Sequence, residues 1–492
     1  MREVGLHFEK AARRRVRARN VSGRELFGLA DVEEVPAFAV RSAEQAPGLF
    51  GRDFADAREG FGDEVVQGLR HAAYSATMFA TRAGWDLRPD EIAEAIARRR
   101  ADGRPVLDLT DSNPTRCGLL AGAERLARSL ARLASDPRCA VYAPDPRGDL
   151  AAREAIAAHH AEQGGAARAE SVLVTAGTSE GYAHLFRLLA DPGDRVLVPA
   201  PSYPLFGLLA GLEGVDAAAY PLRFGGGRWR IDLDAVRRAA TPPARAVLLV
   251  HPNNPTGSLA TRAEARALRA LCRERGLALV SDEVFADHRS SSAPPDAPRT
   301  LLPSEDDAEN GPLTFVLSGA SKLLGLPQLK VGWIVAGGPA QLRDEALARL
   351  EVIADTYLSV SPLVQLAFAD VFTSRTELAG EIAARIEANR RSVARAVAGA
   401  ARVQLLEADG GWYAILRVVA GAGAAAPDED ALARTLRDGP GVFVQPGWLF
   451  DLEPRDEDGA RAAHLVISLL PEPDVLDAGV GHVLEAIAAA AR

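Results

Sequence analysis

Lysine appears only three times in the chain, at Lys10, Lys322 and Lys330, although lysine and arginine together number 57. Two of the three fall within "LSGASKLLGLPQLKVGW" (317–333). A sequence this committed to arginine writes it wherever a surface cation suffices, so a retained lysine marks a need for an amine. Arginine stays protonated, whereas a lysine amine can lose its proton, attack a carbonyl and form a Schiff base. Other groups with chemical capacity precede it, each at the end of an apolar run. "TAGTSEGY" (175–182) offers Gly177, Thr178 and Ser179, which read either as helix caps or as a helix start able to hold phosphate. "APSYPLF" (200–206) offers Tyr203, a ring that stacks on a flat ligand or fills the core. "HPNNPTG" (251–257) is a turn by composition, and Asn254 within it can aim an amide outward. "SDEVF" (281–285) puts Asp282 at the end of an otherwise apolar strand, where a carboxylate is costly without a cationic partner.

The elements that must position these groups are visible as continuous apolar runs: "SVLVTAG" (171–177), "DRVLVPAP" (194–201), "ARAVLLVHP" (244–252), "LALVSDEVF" (277–285) and "LTFVLSGA" (313–320). Runs without alternation, separated by helical periods, predict strands covered on both faces, hence a mainly parallel α/β sheet. Function then belongs at the carboxyl ends of the strands, where these polar residues fall. Residues 286–312, rich in Pro, Ser and acids, are expected to form an exposed insertion, and "VVAGAGAAAPDED" (418–430) a linker. "FGGGRWR" (224–230) follows no strand that opens a helix, so it predicts a hairpin turn and not a phosphate loop.

Composition narrows the function classes. At 492 residues the chain is long enough for two or three domains, and its net charge of −9 and pI near 5.6 argue against a nucleic-acid-gripping protein. Cys117, Cys139 and Cys272 have no metal-like spacing and read as buried, reduced thiols; no metal site is expected. There is no membrane-length apolar run and no signal-peptide core at the start, which points to a cytoplasmic protein without membrane partners. Residues 1–80 carry the basic run "EKAARRRVRARN" and the acidic, proline-broken stretch "ADVEEVPAFAV", with no turn-and-second-helix pattern of a DNA-binding motif.

Taken in this order, the motifs resemble fold type I pyridoxal-phosphate enzymes, specifically the class I/II aminotransferases, from about residue 85 onward; "HPNNPTG" and "SGASK" are the most specific part. The resemblance implies a large domain (126–371) with a mainly parallel seven-stranded sheet between helices, a smaller α+β domain (81–125 and 372–492), and an N-terminal extension (1–80) of unassigned role. It implies pyridoxal 5'-phosphate as cofactor, bound to Lys322 as a Schiff base. Asp282 then pairs with the ring nitrogen, Asn254 with the phenolic oxygen and Tyr203 with the ring face; Gly177, Thr178, Ser179, Ser318 and Lys330 serve the cofactor, chiefly at its phosphate. Tyr142 in "YAPDPRG" is expected to reach the phosphate of a second subunit in a homodimer with shared active sites. The implied activity is ping-pong exchange of an amino group between an amino acid and a 2-oxo acid. Elimination or decarboxylation on the same scaffold is the alternative, and an aminotransferase-like transcription regulator a third. Two departures stand out: Phe285 replaces a tyrosine common in the family, and Val466 in "AHLVISLL" replaces the arginine that usually takes the substrate carboxylate. Arg116 in "LTDSNPTRCG", with Ser112 beside it, is the candidate replacement.

Overall fold

A computed structural model of the protein describes residues 78–85, 91–358, 360–421 and 426–490. The chain divides into two compact units, Met1–Glu94 and Ala95–Arg492. The basic run and the acidic stretch of the first unit lie outside the described residues.

In the second unit the strands are β1 (Leu107–Asp108), β2 (Val172–Thr175), β3 (Arg195–Ala200), β4 (Asp216–Gly225), β5 (Arg228–Ile231), β6 (Ala244–Val250), β7 (Ala278–Asp282), β8 (Thr314–Gly319), β9 (Gly332–Gly337), β10 (Val403–Leu405), β11 (Tyr413–Val419), β12 (Val442–Phe443), β13 (Gln445–Pro446) and β14 (Ala462–Ser468). The main sheet has the order β2-β9-β8-β7-β6-β3-β4-β5. Strands β8, β7, β6, β3 and β4 run parallel, and β9 is antiparallel to both neighbours. The five apolar runs all form strands, because β2, β7 and β8 are buried at every position and need apolar residues on both faces. Seven strands form the expected sheet. An eighth, β5, is added at the edge by the hairpin that "FGGGRWR" makes, with Gly226 and Gly227 at φ 59° and 77° in the positive-φ positions such turns demand.

A second, antiparallel sheet has the order β10-β11-β14-β13, and β1 pairs in parallel with β12. Helices Arg375–Val397 and Pro473–Ala489 bury Ile382, Ile386, Val393, Val480, Val483 and Ile487 in one core with β11 and β14.

The segment 286–312 is not the wholly exposed insertion its composition predicts. Ala297, Thr300, Leu301 and Leu302 are buried, and the Arg289 guanidinium donates to the carbonyls of Pro298 (2.9 Å) and Ala297 (3.2 Å). Its polar composition serves an internally bonded loop whose leucines join the core. Of the cysteines, Cys117 and Cys272 are buried and Cys139 is half-buried.

Candidate active site

Register assembles the site. Thr175 of β2 and Gly319 of β8 both pair with Gly332 of β9, Leu317 of β8 with Asp282 of β7, and Asp282 with Val250 of β6. The carboxyl ends of these strands therefore share one edge, and the turns that follow them carry Gly177–Ser179, Asn254 and Lys322. Gly332 is required at the centre. A Cβ there would lie 2.7 Å from the Gly177 carbonyl carbon and 2.9 Å from the Thr178 nitrogen, so only glycine lets β9 pass under the helix start.

Lys322 sits in the short helix Ala320–Leu323 directly after β8. Its Nζ lies 4.6 Å from the centre of the Trp412 ring and 5.8 Å from that of Phe285. The His288 ring is tilted against Trp412 at 5.6 Å between centres, and its Nε2 donates to the Lys322 carbonyl at 3.0 Å. Because a carbonyl can only accept, that contact fixes the proton on Nε2. The amine is thus held in an aromatic wall, a compact cation over π faces.

Asp282 is buried at the end of β7. Tyr182 Oη donates to its Oδ2 at 2.8 Å and the Val284 N–H to its Oδ1 at 3.1 Å. Burial pushes its pKa up to about 6, against the opposing pull of those two donors and of the Lys322 charge. A carboxylate so placed is ready for a cation. Its neighbour Glu283 is pushed to about 7 by burial, while Oε1 accepts from Leu301 N (2.7 Å) and Ser281 Oγ (2.9 Å).

The two asparagines of the turn divide their tasks. Asn253 Nδ2 donates to Pro201 O (3.0 Å) and Thr256 Oγ1 (2.9 Å), and its Oδ1 accepts from Ser202 Oγ (3.1 Å), so it ties the ends of β3 and β6 together. Asn254 is buried with no hydrogen-bond partner at Oδ1. Its carbonyl pole is open to a donor, unlike that of Asn253. Gly257, at φ 66°, packs this turn so tightly on Gly410 that a Cβ would lie 2.3 Å from its carbonyl oxygen, and so seats Trp412 beside the site.

Gly177 (φ 144°) caps helix Thr178–Leu189, whose first N–H groups have no intrahelical acceptor. Glu180 closes the turn by accepting from Ala176 N at 2.6 Å. Thr178 is half-buried and Ser179 exposed. Tyr203 is half-buried against the core of that helix. Ser318 is buried and donates to the Glu283 carbonyl at 3.4 Å. Lys330 is exposed, in a left-handed turn at φ 56°. Tyr142 is 85% exposed.

Ser112 is buried, while Arg116 is on the surface with its side chain 63% exposed, and its Nη2 lies 2.8 Å from Asp111 Oδ1. Val466 is fully buried in β14, between Ile415 and Gln445, so it belongs to the core and offers nothing to a carboxylate. Phe285 is buried with its ring edge-on to Trp412 at 5.0 Å. Sequence reasoning passed over Trp412 and His288, and it did not pair Tyr182 with Asp282. The one available signal was Tyr182's place one helical turn after Thr178.

These groups meet known proteins in sequence and in fold. A family model described as aminotransferase class I and II matches residues 105–459. The glutamate-pyruvate aminotransferase AlaA of Escherichia coli K12 is 29% identical over 291 residues, covering 58% of this chain and 67% of that protein. The arginine–pyruvate transaminase AruH of Pseudomonas aeruginosa is 32% identical over 285 residues, covering 56% and 67%. Among solved structures, an alanine aminotransferase from Pyrococcus furiosus superposes with a TM-score of 0.72 at 19% identity, covering 84% of this chain and all of that one.

Proposed function

This chain belongs to the class I and II aminotransferase family, and from that premise we propose that Lys322, Asp282 and Asn254 hold pyridoxal 5'-phosphate at the shared strand edge. The protein is an aminotransferase, exchanging an amino group between an amino acid and a 2-oxo acid. When bound, the cofactor supplies an aldehyde for amines and a ring that withdraws electrons from the carbon bearing the amino group. Lys322 would supply the amine that holds the cofactor's aldehyde and, as a free amine, the base for the substrate's α-proton. Asp282 takes a cationic ring nitrogen, which answers the cost of burying its charge. Asn254 would donate its Nδ2 to the cofactor's phenolic oxygen. Gly177, Thr178 and Ser179 offer the helix start to the phosphate, and Lys330 a point charge where a fork of arginine donors is usual. Ser318 braces the strand end that carries Lys322, and Tyr203 covers the ring.

The single observation that carries this reading is that Asn254, Asp282 and Lys322 stand together at the carboxyl ends of neighbouring strands that share one edge. For the substrate carboxylate we assign Arg116 and Ser112. An exposed pair such as Arg116 with Asp111 is worth about 0–1 kcal/mol, so a substrate carboxylate can displace Asp111 at little cost. Pyruvate appears in the names of both AlaA and AruH, and we take it as the first acceptor to test. The assembly is a homodimer, with Tyr142 exposed to reach the second copy's phosphate. We propose the division into 126–371 and the flanking segments 81–125 and 372–492, supported by the separation of the main sheet from the β10-β11-β14-β13 sheet. Half-reactions across the amino acids, followed by loss of the cofactor's aldehyde-form absorbance and its recovery with pyruvate, test the assignment; no amino acid producing that change would refute it.

A further inference from the structure

Asp282 has a second aromatic neighbour besides the wall around Lys322. Tyr182 lies on helix Thr178–Leu189, one turn beyond the Gly177–Ser179 start, and is 3% exposed. Its ring is held edge-on by Phe206 at 5.3 Å and leans on Phe186 at 6.0 Å, which leaves its hydroxyl a single direction. That direction ends on Asp282 Oδ2 at 2.8 Å. With Val284 N–H on Oδ1, each carboxylate oxygen takes one donor and the side chain is pinned at both. One helix thus reaches two parts of the site: its start carries N–H groups with no intrahelical acceptor, and its tyrosine holds the carboxylate.

We propose that Tyr182 is a positioning residue that fixes Asp282 against the cofactor's ring nitrogen and keeps their shared proton on the nitrogen. This rests on the cofactor reading given above. A hydroxyl donating to a carboxylate stabilises its ionised form and makes it a weaker base. The proton between Asp282 and the ring nitrogen then resides on the ring, where it sharpens electron withdrawal. Phe285 has no hydroxyl to offer a cofactor, whereas Tyr182 places one on the Asp282 carboxylate. Aromatic hydroxyl control of the ring therefore passes through Asp282.

Tyr182→Phe removes one oxygen and keeps the packed ring. The test measures dissociation constants of the full-length apoprotein for two probes: pyridoxal 5'-phosphate, and its carbocyclic analogue in which CH replaces the ring nitrogen. The expected result is a loss of about tenfold for pyridoxal 5'-phosphate, as for one hydrogen bond to a charged group, with no change for the analogue. In an Asp282→Asn background the same substitution should add nothing. Equal losses for both probes would make Tyr182 a packing residue and overturn the inference, as would no loss for either. Wild-type protein that bound neither probe would instead refute the cofactor reading itself, and the inference with it.

Discussion

Lys322 Nζ stands 4.6 Å from the centre of the Trp412 ring, although the two residues are ninety positions apart in the chain. The contact exists because Gly257 and Gly410 let two turns touch backbone to backbone, which delivers Trp412, fully buried, beneath the amine. Bound cofactor would then lie beside this indole and quench it. Of the five tryptophans, Trp412 should therefore account for most of the fluorescence lost when cofactor is added to the apoprotein. Trp412→Phe should remove most of that change. An undiminished change would place the cofactor away from this wall.

Phe285 leads to a spectroscopic expectation. A hydroxyl at this position would donate to the cofactor's phenolic oxygen and stabilise its anion, favouring the deprotonated lysine-bound form. Phe285→Tyr should lower the pH midpoint of the absorbance titration of bound cofactor. Tyr182, engaged with Asp282, does not supply this hydroxyl. An unchanged or higher midpoint would mean that another donor already does.

The buried carboxyls give the apoprotein an unusual pH response. Glu283, raised from 4.5 to about 7, holds its proton more tightly folded than unfolded. Its contribution is fully present below about pH 4.5 and is lost as pH rises through about 7. Glu283→Gln stays neutral throughout and retains an acceptor for Leu301 N. The stability difference between variant and wild type should move in the variant's favour by about 1–3 kcal/mol between pH 5 and pH 8. Urea unfolding of both apoproteins at the two pH values measures it, and a difference independent of pH would show that Glu283 carries no such linkage.

Arg116→Ala should raise KM for amino acid and 2-oxo acid together and leave the cofactor spectrum intact, because the proposed role of Arg116 is toward the substrate and not the cofactor. Unchanged KM values would remove Arg116 from the substrate site.

Much of what depended on local pattern was legible in the sequence, although the apolar run of β9, also buried at every position, was not read as a strand. The five apolar runs became β2, β3, β6, β7 and β8 because a strand buried on both faces must be apolar throughout. By contrast β4, half exposed near the sheet edge, shows no such run. The residues at the strand ends were legible as chemistry because polar groups there break an apolar pattern. What was not legible came from contacts between distant segments. Trp412 and His288 reach Lys322 only through turn packing, and nothing near Asp282 in the sequence announces Tyr182. Leu301 and Leu302 lay in a stretch whose Pro, Ser and acid content masked their burial. Asn253 and Asn254 look alike in "HPNNPTG"; the family resemblance singles out Asn254, and the hydrogen bonds add that Asn253 is the strut.

The central claim is that one lysine of three is covalent. Borohydride reduction of the cofactor-loaded protein, followed by peptide mass mapping, tests it in wild type and in the Lys322→Ala and Lys330→Ala variants. The expected result is a single reduced adduct on the peptide containing Lys322, absent in Lys322→Ala together with turnover, and present in Lys330→Ala with weaker cofactor retention. An adduct on Lys330, or any reducible adduct surviving in Lys322→Ala, would contradict it.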